Sequence, residues 1–62
     1  MNVRFVDDTG EWLETWHSYN GVIPIPNDIV TIRPDSVSRS YKVKERLLTQ
    51  CENEINVVLI NL

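Results

Sequence analysis

Three groups of residues carry the side chains from which chemistry could be built. Asp8-Thr9-Gly10 sets a carboxyl group in a small, hydroxyl-flanked turn. Two such groups sharing a proton could act on a water, as in acid-pair hydrolysis of the aspartic-protease kind. Only one triplet is present, so a pair would need a second copy, and Glu11 follows where a small residue is usual. The triplet is read as a hairpin turn. Asp7, Asp8, Thr9, Glu11 and Glu14 could offer oxygens to Ca²⁺ or Mg²⁺, but their spacing matches no calcium loop, and a solvated acidic turn is the preferred reading. Cys51 and His17, each the single residue of its type, could form a thiol and base pair. Glu52 beside Cys51 would work against thiolate formation. No catalytic residue, metal ligand or cofactor is assigned, and the chain is expected not to be an enzyme.

Two further groups suit binding. Trp12, Trp16 and Tyr19 could present an aromatic platform to a protein partner. On a strand, the two Trp share one face and Leu13 and Tyr19 the other, so whichever face is inside, large aromatics are left outside. Arg39, Lys42, Lys44 and Arg46 form the second group, with the last three on one face of an alternating segment, where they could meet phosphates or an acidic partner. The simpler reading of that row is the wet face of an antiparallel strand.

The elements that must position these residues are few, because 62 residues form one small domain. A domain of this size buries only roughly 60% of the surface its unfolded chain exposes. Hydrophobic residues make up 42% and charged residues 24%, the composition of a folded chain rather than a disordered one. The net charge of -3 and a pI near 4.8 argue against a dedicated nucleic-acid binder. One cysteine allows no internal disulfide, no apolar run reaches membrane-spanning length, and no secretory leader pattern opens the chain. A cytoplasmic setting without membrane attachment is expected, as a monomer or weak homo-oligomer.

Val3 and Phe5 flanking Arg4 predict a first strand, closed by the turn chemistry of Asp7-Asp8-Thr9-Gly10. Residues 11–19 fit a strand better than the alternative, a helix at about 9–19, because of their aromatic and Thr content and the poor fit of Gly10 in a first helical turn. Pro24, Pro26 and Asn27-Asp28 interrupt the pattern, so pairing is expected to end near Val22 and resume at Asp28. Ile29-Val30-Thr31-Ile32 reads as a buried strand. Tyr41, Val43, Glu45 and Leu47 alternate with Lys42, Lys44, Arg46 and Leu48 as the next, with Glu45 the one charged inward position. Residues 50–54 read as a polar turn, and Ile55 to Ile60 as the last strand. Five short strands must curl around one core. The expected fold is all-β, a small five-stranded antiparallel, partly open barrel, with an α+β arrangement as the alternative if the helix forms.

Pro24-Ile25-Pro26-Asn27-Asp28-Ile29-Val30, then Tyr41-Lys42-Val43, then alternating Ile55, Val57 and Leu59, resembles a pattern of small SH3-like β-barrel proteins of bacteria and phages. That pattern is Pro-x-x-Gly-Asp-x-Val, then Tyr-x-Val, then a terminal strand. Asn27 stands where Gly is usual, at a position a left-handed turn residue can fill. The resemblance covers roughly the C-terminal two thirds of the chain. It implies an SH3-like barrel and brings no catalytic residues. Function is read as a non-catalytic protein-interaction module with an unknown protein partner. The alternatives are a nucleic-acid-binding small barrel, or a structural or assembly component of a phage or mobile element.

Overall fold

The computed structural model describes residues 1–49 and 53–62. Five strands form: β1 (Asn2–Asp7), β2 (Trp12–Trp16), β3 (Ile29–Ile32), β4 (Arg39–Leu48) and β5 (Glu54–Asn61). They make one sheet in the order β2-β1-β5-β4-β3, curled into an open half-barrel consistent with a small SH3-like barrel. No helix occurs among the described residues, so residues 9–19 are a turn followed by a strand and the helical alternative falls. The sheet is mixed rather than purely antiparallel. The first and last strands run parallel, with Val3 beside Ile55 and Phe5 beside Val57, while the other three pairings are antiparallel.

The concave face holds the core. Val3, Phe5, Val30, Ile32, Tyr41, Val43, Ile55, Val57 and Leu59 form one buried cluster, with Leu13, Trp16, Tyr19 and Ile23 packed against it. Apart from Leu13, Tyr19 and Ile23, these positions alternate along their strands, as a sheet with one dry face requires. Phe5 is fully buried at the centre. Removing such a ring typically costs about 3–5 kcal/mol, against a total stability of roughly 3–9 kcal/mol for a chain of this length. The core is therefore small enough for single residues to decide it.

Two bulges correct the simple alternation. In β2, Phe5 stands opposite Glu14 but Val6 stands opposite Trp12, so Leu13 is the extra residue. A bulge shifts the parity of everything beyond it. Trp16, opposite Val3, lies on the core face, whereas Trp12, opposite Val6, lies on the outer face. The expectation that the two Trp share a face is overturned. In β4, Val43 stands opposite Leu59 and Glu45 opposite Val58, leaving Lys44 as the extra residue. Glu45 is thereby on the outer face and exposed rather than directed inward, and Arg46 stands opposite core-face Val57 while Lys42 stands opposite outer-face Ile60. The basic row is therefore broken in the middle.

Two of the turns that flank the strands each use a left-handed residue. The Asp7 carbonyl accepts from the Gly10 amide, and Gly10 has φ 91°. In the second, the Ile25 carbonyl accepts from the Asp28 amide, with Pro26 and Asn27 between them and Asn27 at φ 78°. Proline followed by a positive-φ residue is the signature of a type II turn. Asn27 does the work expected of glycine at that position. Strand pairing stops at Trp16, earlier than Val22, and residues 17–28 cross without regular structure to the start of β3. The polar turn expected at 50–54 falls partly outside the described residues, as does Cys51.

Candidate functional site

The two ends of the sheet order, β2 and β3, do not pair with each other, and the open side of the half-barrel lies between them. The edge of β3 has a defined hydrogen-bonding polarity. Val43 donates its amide to the Asp28 carbonyl and Asn27 donates to the Val43 carbonyl, which fixes position 28 as facing β4. Because antiparallel pairs alternate, Val30 opposite Tyr41 and Ile32 opposite Arg39 also exchange hydrogen bonds with β4. Ile29 and Thr31 therefore turn their amides and carbonyls away from the sheet. Both residues are exposed, Ile29 to 56%.

Beside this edge runs an open groove of about 350 Å³, lined by Trp16, Tyr19, Val22, Pro24, Asp28, Ile29, Val30 and Thr31. Its aromatic wall is fixed from several sides. Trp16 meets the Phe5 ring edge-on at 4.6 Å between centroids and Tyr19 at 5.1 Å. The Trp16 indole donates to the Glu14 carboxylate at 2.8 Å, and the Tyr19 hydroxyl donates to the Val22 carbonyl at 2.8 Å. Gly21 has to be glycine for this packing, since a Cβ there would stand 2.5 Å from the Tyr19 oxygen. At the far end of β3, the Arg33 amide donates to the other Glu14 oxygen at 3.2 Å. One carboxylate from β2 thus holds the groove's tryptophan and ends the free edge of β3. At the near end, Asp28 accepts from the Ile25 amide through one oxygen at 3.0 Å.

Of the expected aromatic platform, Trp16 and Tyr19 come together here and Trp12 does not. Trp12 is 53% exposed on the outer face and donates its indole N–H to the Thr15 hydroxyl at 2.8 Å. It stands at the end of a row across the sheet in which Val6 and Val58, side by side, are 5% and 6% exposed. The groove's other lining residues, Val22, Pro24, Asp28, Ile29, Val30 and Thr31, are not in the aromatic set chosen from sequence, nor is Glu14, which holds Trp16. Their sequence signal was partial: Pro24 and Pro26 mark an interruption of pairing before β3 and leave open which side of that strand is free.

The basic residues are dispersed. Arg39 pairs with Asp35 at 3.2 Å, both well exposed, a contact of small energetic weight. Lys42 faces outward between Ile29 and Ile60, Lys44 occupies the bulge, and Arg46 lies beyond it.

The acidic group does not converge on a metal position. Asp7 holds the turn: its Oδ1 accepts from the Thr9 amide, the Thr9 hydroxyl and the Glu11 amide at 2.9, 2.6 and 3.0 Å. These donors, the Thr9 hydroxyl foremost and the Glu11 amide next, hold the Asp7 carboxyl below the usual aspartate range. Asp8, the carboxylate of the Asp-Thr-Gly triplet, is an exposed turn residue. Among the described residues no group of three or more His, Cys, Asp or Glu is placed to hold a metal ion. His17 is exposed, and its proposed thiol partner lies outside the described residues. No helix of the described residues is long and apolar enough to cross a membrane.

Comparison with protein-family models, curated proteins and solved structures gives no match, so the reading of this site rests on its own geometry.

Proposed function

We propose that this chain is a non-catalytic protein-interaction module that takes up an extended segment of a partner protein as an additional strand on β3. The observation that supports this reading is the juxtaposition of an unpaired strand edge with an aromatic groove. Ile29 and Thr31 offer main-chain donors and acceptors, and Trp16, Tyr19, Val22 and Pro24 form a trough on the core side of the same strand. Strand addition uses main-chain hydrogen bonds for affinity and pockets beneath alternate guest residues for selectivity. Both parts are side by side here. Nucleic-acid binding through Arg39, Lys42, Lys44 and Arg46 has less behind it, because the bulge at Lys44 splits the row and Arg39 is paired.

Thr31→Pro tests the reading. Proline at 31 removes an outward-facing amide and the exposed hydroxyl contact of Thr31 with Ser40 at 2.9 Å, and adds a ring on the free side, while the main-chain bonds to β4 come from Val30 and Ile32, so an edge strand should accept it. The folded variant is expected to lose capture of extended peptides selected from a random peptide display on the parent chain. Retention of that binding by a folded Thr31→Pro protein would rule out the β3 edge as the site.

A further inference from the structure

Resting on that reading, the geometry points to the kind of segment taken up: a short extended stretch with an apolar residue at its centre and a Lys or Arg two positions away on each side. The length follows from how the edge is closed. Beyond Thr31 the next outward amide is that of Arg33, already donated to Glu14, and before Ile29 the chain enters the turn of residues 25–28. Pairing is therefore confined to Ile29, Val30 and Thr31, which matches a guest of about five residues when one flanking residue on each side is counted.

The central residue follows from parity. A guest residue opposite Val30 shares Val30's face, the core face, and there it meets Trp16, Tyr19, Val22 and Pro24. Residues opposite Ile29 and Thr31 point to the outer face and solvent. Guest positions two removed from the centre return to the core side, at the two ends of the trough. Asp28 is the charged residue lining the trough, and its second carboxylate oxygen is left for a guest cation. At the other end the guest passes Glu14, whose carboxylate is held in place by Trp16 and Arg33. No Lys or Arg lines the trough, and the whole chain carries a net charge of -3. Carboxylates at both ends favour a cationic guest and repel an acidic one. A second copy of β3 is a poorer guest, since centring Val30 on Val30 would set Ile32, not a cation, opposite Asp28.

The test uses the full chain labelled with ¹⁵N and three capped peptides: Lys-Thr-Leu-Thr-Lys, Glu-Thr-Leu-Thr-Glu and Lys-Thr-Ser-Thr-Lys. The amides of Ile29 and Thr31 and the indole of Trp16 are followed by NMR, with sedimentation to give the mass. The first peptide is expected to shift all three signals and to bind roughly tenfold more tightly than either of the others at low salt. Asp28→Asn should narrow the gap between the Lys and Glu peptides several-fold. Equal binding of the Lys and Glu peptides at these signals overturns the charge assignment and leaves strand addition standing. Equal binding of the Leu and Ser peptides overturns the apolar centre. No shift of Ile29 and Thr31 with any peptide at millimolar concentration overturns both this inference and the reading beneath it. Shifts that instead follow protein concentration, with a rising mass, assign the edge to a second copy.

Discussion

The Glu14 carboxylate bridges the open side of the half-barrel, accepting from the Arg33 amide at 3.2 Å and from the Trp16 indole at 2.8 Å. It stands on the core face opposite Phe5, at the one place in β2 where a charged side chain can reach a backbone donor just past β3. Glu14→Ala removes both acceptors. Two partly solvated hydrogen bonds to a carboxylate predict a loss of about 1–3 kcal/mol in urea unfolding, together with faster hydrogen exchange at the Arg33 amide. An unchanged Arg33 exchange rate would show that the bridge does not persist in solution.

The two tryptophans should be distinguishable in one fluorescence experiment. Trp12 is outward and half exposed, while Trp16 is packed between Phe5 and Tyr19. Acrylamide quenching is expected to be biphasic in the parent, with Trp12→Phe removing the readily quenched component and Trp16→Phe removing the protected one. Equal quenching of both single-tryptophan variants would contradict the bulge at Leu13, because only that bulge separates their faces.

Asn27 at φ 78° calls for a residue that tolerates the left-handed region. Asn27→Gly is expected to change stability by no more than a few tenths of a kcal/mol, the relief of strain being offset by the greater freedom of the unfolded chain. Asn27→Val places a β-branched residue there and should cost about 1–2 kcal/mol. Urea midpoints of the two variants check the ordering, and a Val variant as stable as the Gly variant would exclude the turn described.

Acid sensitivity should have a component at Asp7. Its carboxyl sits below the ordinary range in the folded state because the Thr9 hydroxyl and the Glu11 amide favour its charged form. A depressed folded pKa contributes stability that is fully present above the unfolded value of about 3.9 and is lost as pH falls through the lower folded value. Thr9→Val removes the largest of these donors. The variant should show a smaller loss between neutral pH and the acid limb, and the Asp7 carboxyl resonance should titrate at higher pH than in the parent. An unmoved Asp7 titration would remove Thr9 as the cause.

All five strands and the turn residues were legible because each depends on local chemistry: Val3 and Phe5 alternate, Gly10 and Asn27 turn, and Ile29 to Ile32 are β-branched in all four places. What could not be read was parity across a bulge. Leu13 and Lys44 carry no local mark of being extra residues, since bulges are set by which strand lies opposite. One inserted position in each strand was enough to part Trp12 from Trp16 and Lys42 from Arg46. The parallel pairing of β1 with β5 was also beyond reach, because it joins residues some fifty positions apart and leaves no local signature. For the site, the aromatic wall was half legible through Trp16 and Tyr19. Pro24 and Pro26 told where pairing is interrupted but not which side of β3 is free, and Glu14 was read as part of a solvated acidic turn when its partners are an indole and an amide.

The placement of β5 between β1 and β4 bears on how the molecule comes into being. Of the five strands, the last in chain order is the one that joins the two hairpins, and neither hairpin alone encloses a core. A nascent chain emerging from the ribosome would hold β1 and β2 as one unsupported ribbon and β3 and β4 as another until Ile55, Val57 and Leu59 appeared. Folding must then wait for synthesis through β5, and its rate must reflect the closure of a loop nearly as long as the chain itself. Throughout that interval the edges of both ribbons stay available to neighbouring chains.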